Sequence, residues 1–261
     1  MYNALQHKLI GLVITYNEAK NIPSLFETLH FVDEIIVIDS FSTDETAQIV
    51  ASYPKATLYQ HKFQDYATQR NIALEYVKGN WVLFLDADER ISESLKKEII
   101  ATVNHNKTSE AYFFKRRFFF NNKPVYFGGL QTDKNVRLFY NHPTSHYQGL
   151  VHEKLQFNGH LKVLKNFLTH FSYEDYATYK EKMLRYGVLK GREKIRQGKY
   201  PNPVLKYVHP AYTFICKFLI RGGILDGNKG FVLSYLMAFS VYIRYQEMEL
   251  LSRQKNISSQ I

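Results

Sequence analysis

Apolar and polar positions alternate in blocks along the first ninety residues. Leu9–Thr15 is a continuous, β-branched apolar run of strand length, the pattern of a strand buried on both faces. Asn21–Leu29 follows with an N-cap candidate, Pro23 in the first turn and Leu25, Phe26 and Leu29 on one helical face. The same alternation continues through a strand at Glu34–Asp39, a helix at Thr43–Tyr53 and a short strand at Ala56–His61. It closes with a helix at Gln69–Val77 and a buried strand at Trp81–Leu85. This rhythm predicts a doubly wound α/β sheet with helices on both faces. Beyond residue 110 it changes to aromatic strands, Tyr112–Phe120 and Val136–Tyr140, with Gly128-Gly129 as a turn. From Tyr173 helical spacing dominates. Tyr173–Lys199 reads as a basic amphipathic helix, and helices near 204–220 and 230–251 flank a glycine-rich link. The uncharged stretch Phe231–Ile243 has 13 residues, short of the roughly 20 that span a bilayer.

Composition sharpens this picture in one respect. The 261 residues carry 34 Lys and Arg against 24 Asp and Glu, but the excess is not spread evenly. Residues 1–157 hold 17 basic and 17 acidic side chains, whereas residues 158–261 hold 17 basic and 7 acidic, the entire net charge of +10. A basic second half suits an anionic partner, phospholipid or nucleic acid, or else is a solvated face. Lone Cys216 rules out a disulfide scaffold and a cysteine-built zinc site. The apolar run near the N-terminus is shorter than a signal peptide's core of roughly 7–15 residues, so the expected compartment is the cytosol.

Ligands in open α/β sheets bind beyond the carboxyl ends of the strands. Three predicted strands end in polar groups: Thr15, Tyr16, Asn17 and Glu18; Asp39, Ser40, Ser42, Thr43 and Asp44; Asp86, Asp88 and Glu89. Asp86 and Asp88, one residue apart, can offer oxygens to magnesium or manganese, which substrate phosphates would complete. The competing reading has Asp88 cap the helix that starts near Ser92. Neither a G-x-G-x-x-G after the first strand nor a G-x-x-x-x-G-K-[ST] is present, so the usual phosphate cradles are missing. Asp39 and the Tyr16-Asn17-Glu18 turn would then hold the base and ribose of a nucleotide.

The segments LVITYNEAKNI, EIIVIDSFSTDET, Arg70-Asn71 and FLDADE resemble family 2 glycosyltransferases of the GT-A fold. Later segments, among them Lys115-Arg116-Arg117-Phe118, Asn135–Phe139, Gly149–Glu153 and Gly223–Gly230, resemble the branch that adds glucose to the lipopolysaccharide inner core. The resemblance implies a GT-A catalytic domain over 1–172, with a nucleotide-binding region over 1–110 and an acceptor region over 111–172, then a helical membrane-associating extension over 173–261. It implies inverting transfer from a UDP-hexose, UDP-glucose preferred, to a lipid-linked saccharide. The divalent metal would sit at Asp88, helped by Asp86 and by His170, unless His170 is a satisfied core histidine. Glu153 is the first candidate for general base, since a carboxylate is ionised at neutral pH. His152 and Asp133 are its rivals, the latter preceded by Gln131-Thr132 where the branch has Pro. Thr15, Tyr16, Asn17, Glu18, Asp39, Ser42, Arg70, Asn71, Asp86 and Arg137 form the substrate-binding set; Arg137 reaches diphosphate oxygens or pairs a carboxylate. The cations of Tyr112–Phe120 would approach an anionic acceptor, and the basic helices an anionic surface on the inner face of the cytoplasmic membrane. Nucleic acid is not expected, because paired carboxylates repel its backbone. The readings kept open are another polymer or polyprenyl-linked acceptor, and a non-catalytic sugar-nucleotide or polyanion binding module.

Overall fold

A computed structural model describes residues 8–77, 80–105, 107–121, 123–130, 133–149, 153–173 and 176–258. The chain divides into two compact units, one of Met1–Arg116 with Lys134–His170, the other of Arg117–Asp133 with Phe171–Ile261.

In the first unit β1 (Leu9–Thr15), β2 (Glu34–Asp39), β3 (Ala56–Gln60) and β4 (Trp81–Asp86) are parallel, in the order β3-β2-β1-β4. The connecting helices are α1 (Ile22–Thr28), α2 (Thr46–Ala51) and α3 (Tyr66–Glu75). Alternate residues of β1 enter different cores. Leu9 and Val13 join Leu25, Phe26, Trp81 and Leu83, whereas Ile10 and Leu12 join Ile36, Ile38, Leu74 and Phe84. Burial of both faces is why this strand is apolar throughout rather than alternating.

After β4 come the short β5 (Glu89–Ile91) and α4 (Glu93–Asn104). The sheet then continues through β6 (Glu110–Phe120), β8 (Lys134–Tyr140) and β11 (His160–Tyr173), in the order β4-β8-β6-β11-β5. The pairings of β8 with β4 and β6, and of β11 with β5, are antiparallel. A separate hairpin pairs β9 (His146–Gln148) with β10 (Lys154–Gln156). Three elements differ from the sequence expectation. The second helix starts at Thr46 rather than Thr43, because Ser42, Thr43 and Asp44 are engaged with the loop after β1. The third starts at Tyr66, where Asp65 accepts the Thr68 amide at 2.8 Å as an N-cap. The strand that carries His170, not delimited in the sequence, is fourteen residues long and sets it opposite Glu89.

In the second unit the end of β6 pairs with β7 (Lys123–Val125). Segment 117–133 groups with the C-terminal helices and not with the preceding acceptor region, because Phe118, Phe120 and Val125 share a core with Tyr179, Leu233 and Leu236. The helices are α5 (Tyr176–Arg196), α6 (Leu205–Ile215) and α7 (Asn228–Ser258). A π-helical turn at Cys216–Ile220 and a 3-10 turn at Gly223–Asp226 join the last two. Among the described residues no helix is long and apolar enough to cross a membrane.

Helices α5 and α7 meet through two glycines. A Cβ on Gly187 would lie 2.5 Å from the Ser240 carbonyl oxygen, and one on Gly191 would lie 2.8 Å from that of Arg244. Gly187→Ala would stabilise an exposed helix by about 1 kcal/mol. Here the backbone carbonyl cannot yield, and overpacking of this kind costs roughly 1–3 kcal/mol. The expected result is a lower melting temperature by circular dichroism; an unchanged or higher one would show that α5 and α7 can separate.

Candidate active site

Strands β2, β1 and β4 are neighbours and parallel, so their carboxyl ends share one edge of the sheet. Thr15 is in register with Asp39, and Ile14 with Asp86. Asp39 is fully buried. It accepts hydrogen bonds from the Thr15 hydroxyl at 3.0 Å, the Ser42 backbone amide at 2.9 Å, the Ser42 hydroxyl and the Gln60 side-chain Nε2 at 3.3 Å. The loops after β1 and β2 are tied together as well. The Asn17 amide donates to Ser42 Oγ at 2.8 Å, the Thr43 amide to Asn17 Oδ1 at 2.8 Å and the Glu18 amide to Thr46 Oγ1 at 2.8 Å. Burial opposes ionisation of Asp44, but donation from Thr46 and the Ala19 amide outweighs it and lowers that carboxyl below its ordinary value. Asn17 and Phe41 both have positive φ, 57° and 59°, backbone strain that clusters at functional sites. Beside these bonds Tyr16 and Phe41 expose their rings. Phe41 was not among the sequence candidates; its signal is an aromatic residue inside a Ser-rich turn.

The third strand end is built differently. Asp86 accepts from Arg70 Nη2 at 2.7 Å and from Arg137 Nη2, and Arg137 Nη2 also reaches Glu89 Oε1 at 2.7 Å. Arg116 lies 3.6 Å from the same Glu89 oxygen. Arg70 Nε donates to Glu153 Oε1 at 3.1 Å, and its guanidinium lies 4.5 Å from the Phe84 ring centre and 5.5 Å from that of Tyr147. Three arginines thus meet three carboxylates around one crevice. Burial alone would raise the Asp86 pKa, but Arg137 and Arg70 outweigh it and hold the carboxyl far below the usual range. Reciprocally, Asp86 and Glu89 raise Arg137 against its own burial, and Asp86 raises Arg70. Burial pushes the Tyr147 phenol up to about 12, so it stays protonated, and its hydroxyl has no hydrogen-bond partner among the described residues. Arg70 Nη1 is likewise buried without one.

The sequence candidates therefore fall into distinct roles. Arg137 and Arg70 pair carboxylates rather than standing open. Asn71 binds protein: its side chain donates to the Tyr147 carbonyl at 2.9 Å and accepts the Tyr147 amide at 2.6 Å, clamping β9 to α3. That clamp sets the hairpin in which Glu153 directly precedes β10. Arg116, expected to approach an acceptor, faces Glu89 instead. Glu89 itself was visible only as one more acid after β4; its burial against two arginines depends on β6 and β8. Asp88 does not cap α4, because the Ser92 hydroxyl accepts the Leu95 amide at 3.3 Å. It lies 3.1 Å from His170 Nε2. Asp133 belongs to the other compact unit, and His152 lies outside the described residues.

A carboxylate and an imidazole side by side suit a divalent cation such as manganese. Among the described residues no third metal-type side chain joins them. Asp86, named with them in the sequence, has both oxygens engaged by arginines. The pair fits an ion that keeps water and takes its remaining ligands from a diphosphate.

Carboxylates at adjacent parallel strand ends, no glycine phosphate loop, and a sheet completed by antiparallel strands define a GT-A glycosyltransferase fold. The profile described as Glycosyl transferase family 2 matches residues 12–187, and the chain belongs to that family of enzymes. An uncharacterised glycosyltransferase of Rickettsia bellii (strain RML369-C) is 28% identical over 98% of this chain and 91% of its own length. Lipopolysaccharide core biosynthesis glycosyltransferase LpsC of Rhizobium meliloti (strain 1021) is 25% identical over 91% of this chain and 93% of its own. Among solved structures, S. aureus TarS 1-349 aligns at a TM-score of 0.47 with 16% identity, over 90% of this chain and 91% of that one.

The arginine network predicts a pH signature. A carboxyl with a depressed folded pKa stabilises fully above its unfolded value of about 3.9, and that contribution declines as pH falls further. Asp86→Asn is expected to cost roughly 3 kcal/mol at neutral pH, by leaving two buried guanidinium groups undercompensated. Below about pH 4 the gap to wild type should narrow by about 1 kcal/mol per pH unit. Urea denaturation at pH 7 and pH 3 checks it; a gap independent of pH would remove Asp86 from the network's energetics.

Proposed function

We propose that this enzyme is an inverting hexosyltransferase that moves a sugar, glucose by preference, from a UDP-sugar to a lipid-linked saccharide such as the lipopolysaccharide inner core. The observation that carries the reading is the Arg70 bridge, which sets Glu153 beside the strand-end carboxylate Asp86. One oxygen of Glu153 is fixed by Arg70, while Oε2 has no hydrogen-bond partner among the described residues. The free oxygen can accept a proton from an acceptor hydroxyl. That hydroxyl oxygen forms a bond to the anomeric carbon, the bond from that carbon to the diphosphate breaks on the opposite face, and the proton goes to Glu153.

Asp39, Thr15 and the Asn17–Ser42 cross-link would hold the nucleoside, with Tyr16 and Phe41 offering ring faces to the base. Asp88 and His170 would hold a divalent metal, which when bound neutralises charge on the leaving diphosphate. Arg70 Nη1 and the Tyr147 hydroxyl, both buried donors, are suited to oxygen atoms of the donor. The lipopolysaccharide assignment draws on the resemblance in sequence and on the relative LpsC. The basic second half supports attachment to the inner face of the cytoplasmic membrane.

Calorimetric titration with UDP, UDP-glucose and GDP-mannose, with and without manganese, tests the donor. Manganese-dependent binding of UDP and UDP-glucose alone is expected, and binding of none by folded protein would overturn the reading. Asp88→Ala should lose the manganese-dependent component. Glu153→Gln should bind donor normally yet transfer at least roughly 100-fold more slowly; transfer at the wild-type rate would move the base elsewhere.

A further inference from the structure

Between α6 and α7 the chain of the second unit makes a tightly fixed turn. A Cβ on Gly223 would lie 2.7 Å from the Lys217 carbonyl oxygen, and one on Gly230 would lie 1.7 Å from that of Gly223, so backbone packs on backbone. The Asp226 carboxylate accepts the amides of Tyr126 at 3.1 Å and Phe127 at 2.8 Å. The Gly128 amide donates to the Arg221 carbonyl at 3.0 Å. The segment following β7 is thereby laced to the turn, and Gly129, at φ +90°, faces its two cations. A Cβ at Gly129 would lie 2.9 Å from Lys217 Nζ, 3.0 Å from Arg221 Cδ and 3.5 Å from Arg221 Nη1.

Two like charges thus converge on one point, yet neither has a carboxylate partner among the described residues. The one acid of the turn, Asp226, is engaged with backbone amides. Burial and the Arg221 charge both push the Lys217 ammonium below its ordinary value. A phosphate oxygen between the two cations would relieve that repulsion. The same turn exposes four aliphatic side chains, Leu219, Ile220, Ile224 and Leu225, each more than half accessible. Aliphatic groups gathered on a rigid turn with a cation pair among them are what an interfacial membrane contact requires.

We propose that the turn 216–227 is a membrane wedge: Leu219, Ile220, Ile224 and Leu225 enter the headgroup–acyl boundary of an anionic leaflet, and Lys217 and Arg221 take a lipid phosphate at Gly129. The inference rests on the proposed membrane attachment and gives it a location, replacing a diffuse basic surface by a particular contact. The segment Lys199–Phe231 carries five Lys and Arg against one acid, so the charge around the wedge favours an anionic surface.

The test is flotation of the full chain with phosphatidylcholine vesicles, with and without phosphatidylglycerol, in the absence of donor and acceptor. Wild type is expected to bind the anionic vesicles. The double variant Lys217→Gln with Arg221→Gln should bind roughly thirtyfold more weakly, and Lys217→Arg should retain binding. Ile220→Ser with Leu225→Ser should lose at least roughly tenfold, including the component that resists high salt. Melting temperature and UDP binding, unchanged in these variants, show that the fold and donor site are intact. Wild-type affinity in both double variants would overturn the wedge while leaving attachment by other basic residues standing. Failure of wild type to bind would overturn both, and neither result touches the donor reading. Competition by inorganic phosphate without dependence on the aliphatic residues would mean a soluble phosphate site, and would also overturn the wedge.

Discussion

Arg70 and Arg137 are buried where an unpaired charge would cost several kcal/mol, and the arrangement of the first unit follows from satisfying them. Arg70 comes from α3, Arg137 from β8, Asp86 from the end of β4, Glu89 from β5 and Glu153 from the β9–β10 hairpin. Apart from the ends of β4 and β5, where the Asp86 amide donates to Glu89 at 3.0 Å, these elements are not held in this relation by local sequence. Each must arrive before the charges balance, so the network fixes how the parallel half of the sheet meets the antiparallel half. It also explains why acidic groups can crowd one crevice without repelling each other apart. Replacing such a cluster with apolar residues is often neutral for stability, and its retention at strand ends fits a site that must present carboxylates in fixed positions.

The two other regions of the site use different physics. Asp39 is satisfied by neutral donors, which orient it and tie two loops into one surface, and strained Asn17 and Phe41 mark where that surface is most constrained. Asp88 and His170 face each other, one on the turn after β4 and the other on β11, and the Asp88 charge also acts on Arg90. A carboxylate already neutralised by guanidinium groups, as Asp86 is, is a poor ligand for a cation. The two acids of the D-x-D segment thus meet different partners, Asp86 two arginines and Asp88 an imidazole.

In the second unit the helices meet at close range, and the ion pairs Arg192–Glu247 and Lys206–Glu249 lie along the same contacts. Gly187 and Gly191 let α5 and α7 approach to backbone distance, and Phe118, Phe120 and Val125 share the core with Tyr179, Leu233 and Leu236. This leaves α6 with no buried residue and a following turn rich in exposed aliphatic side chains. That turn is where the lipid contact is inferred.

Much of this was legible in the chain itself. Runs such as Leu9–Thr15 and Trp81–Leu85 are apolar on both faces because helices cover both sides of the sheet, so period and length alone identify them as inner strands. The polar groups that follow them, Thr15, Asp39, Asp86 and Asp88, share one edge as a consequence of parallel order. The resemblance in motif supplied the family. Other features depended on contacts between residues far apart in sequence. That Arg70 and Arg137 bind carboxylates, that Asn71 clamps the Tyr147 backbone and that Arg116 faces Glu89 are pairings between different elements, 16 or more residues apart, which no local periodicity encodes. The grouping of 117–133 with the C-terminal helices has the same origin, since an aromatic strand shows that it needs a core but not which core. Sequence determined the elements and the chemistry at their ends, because both follow from short-range pattern. Tertiary structure decided which charge meets which, because burial makes an ion's partner matter more than its identity.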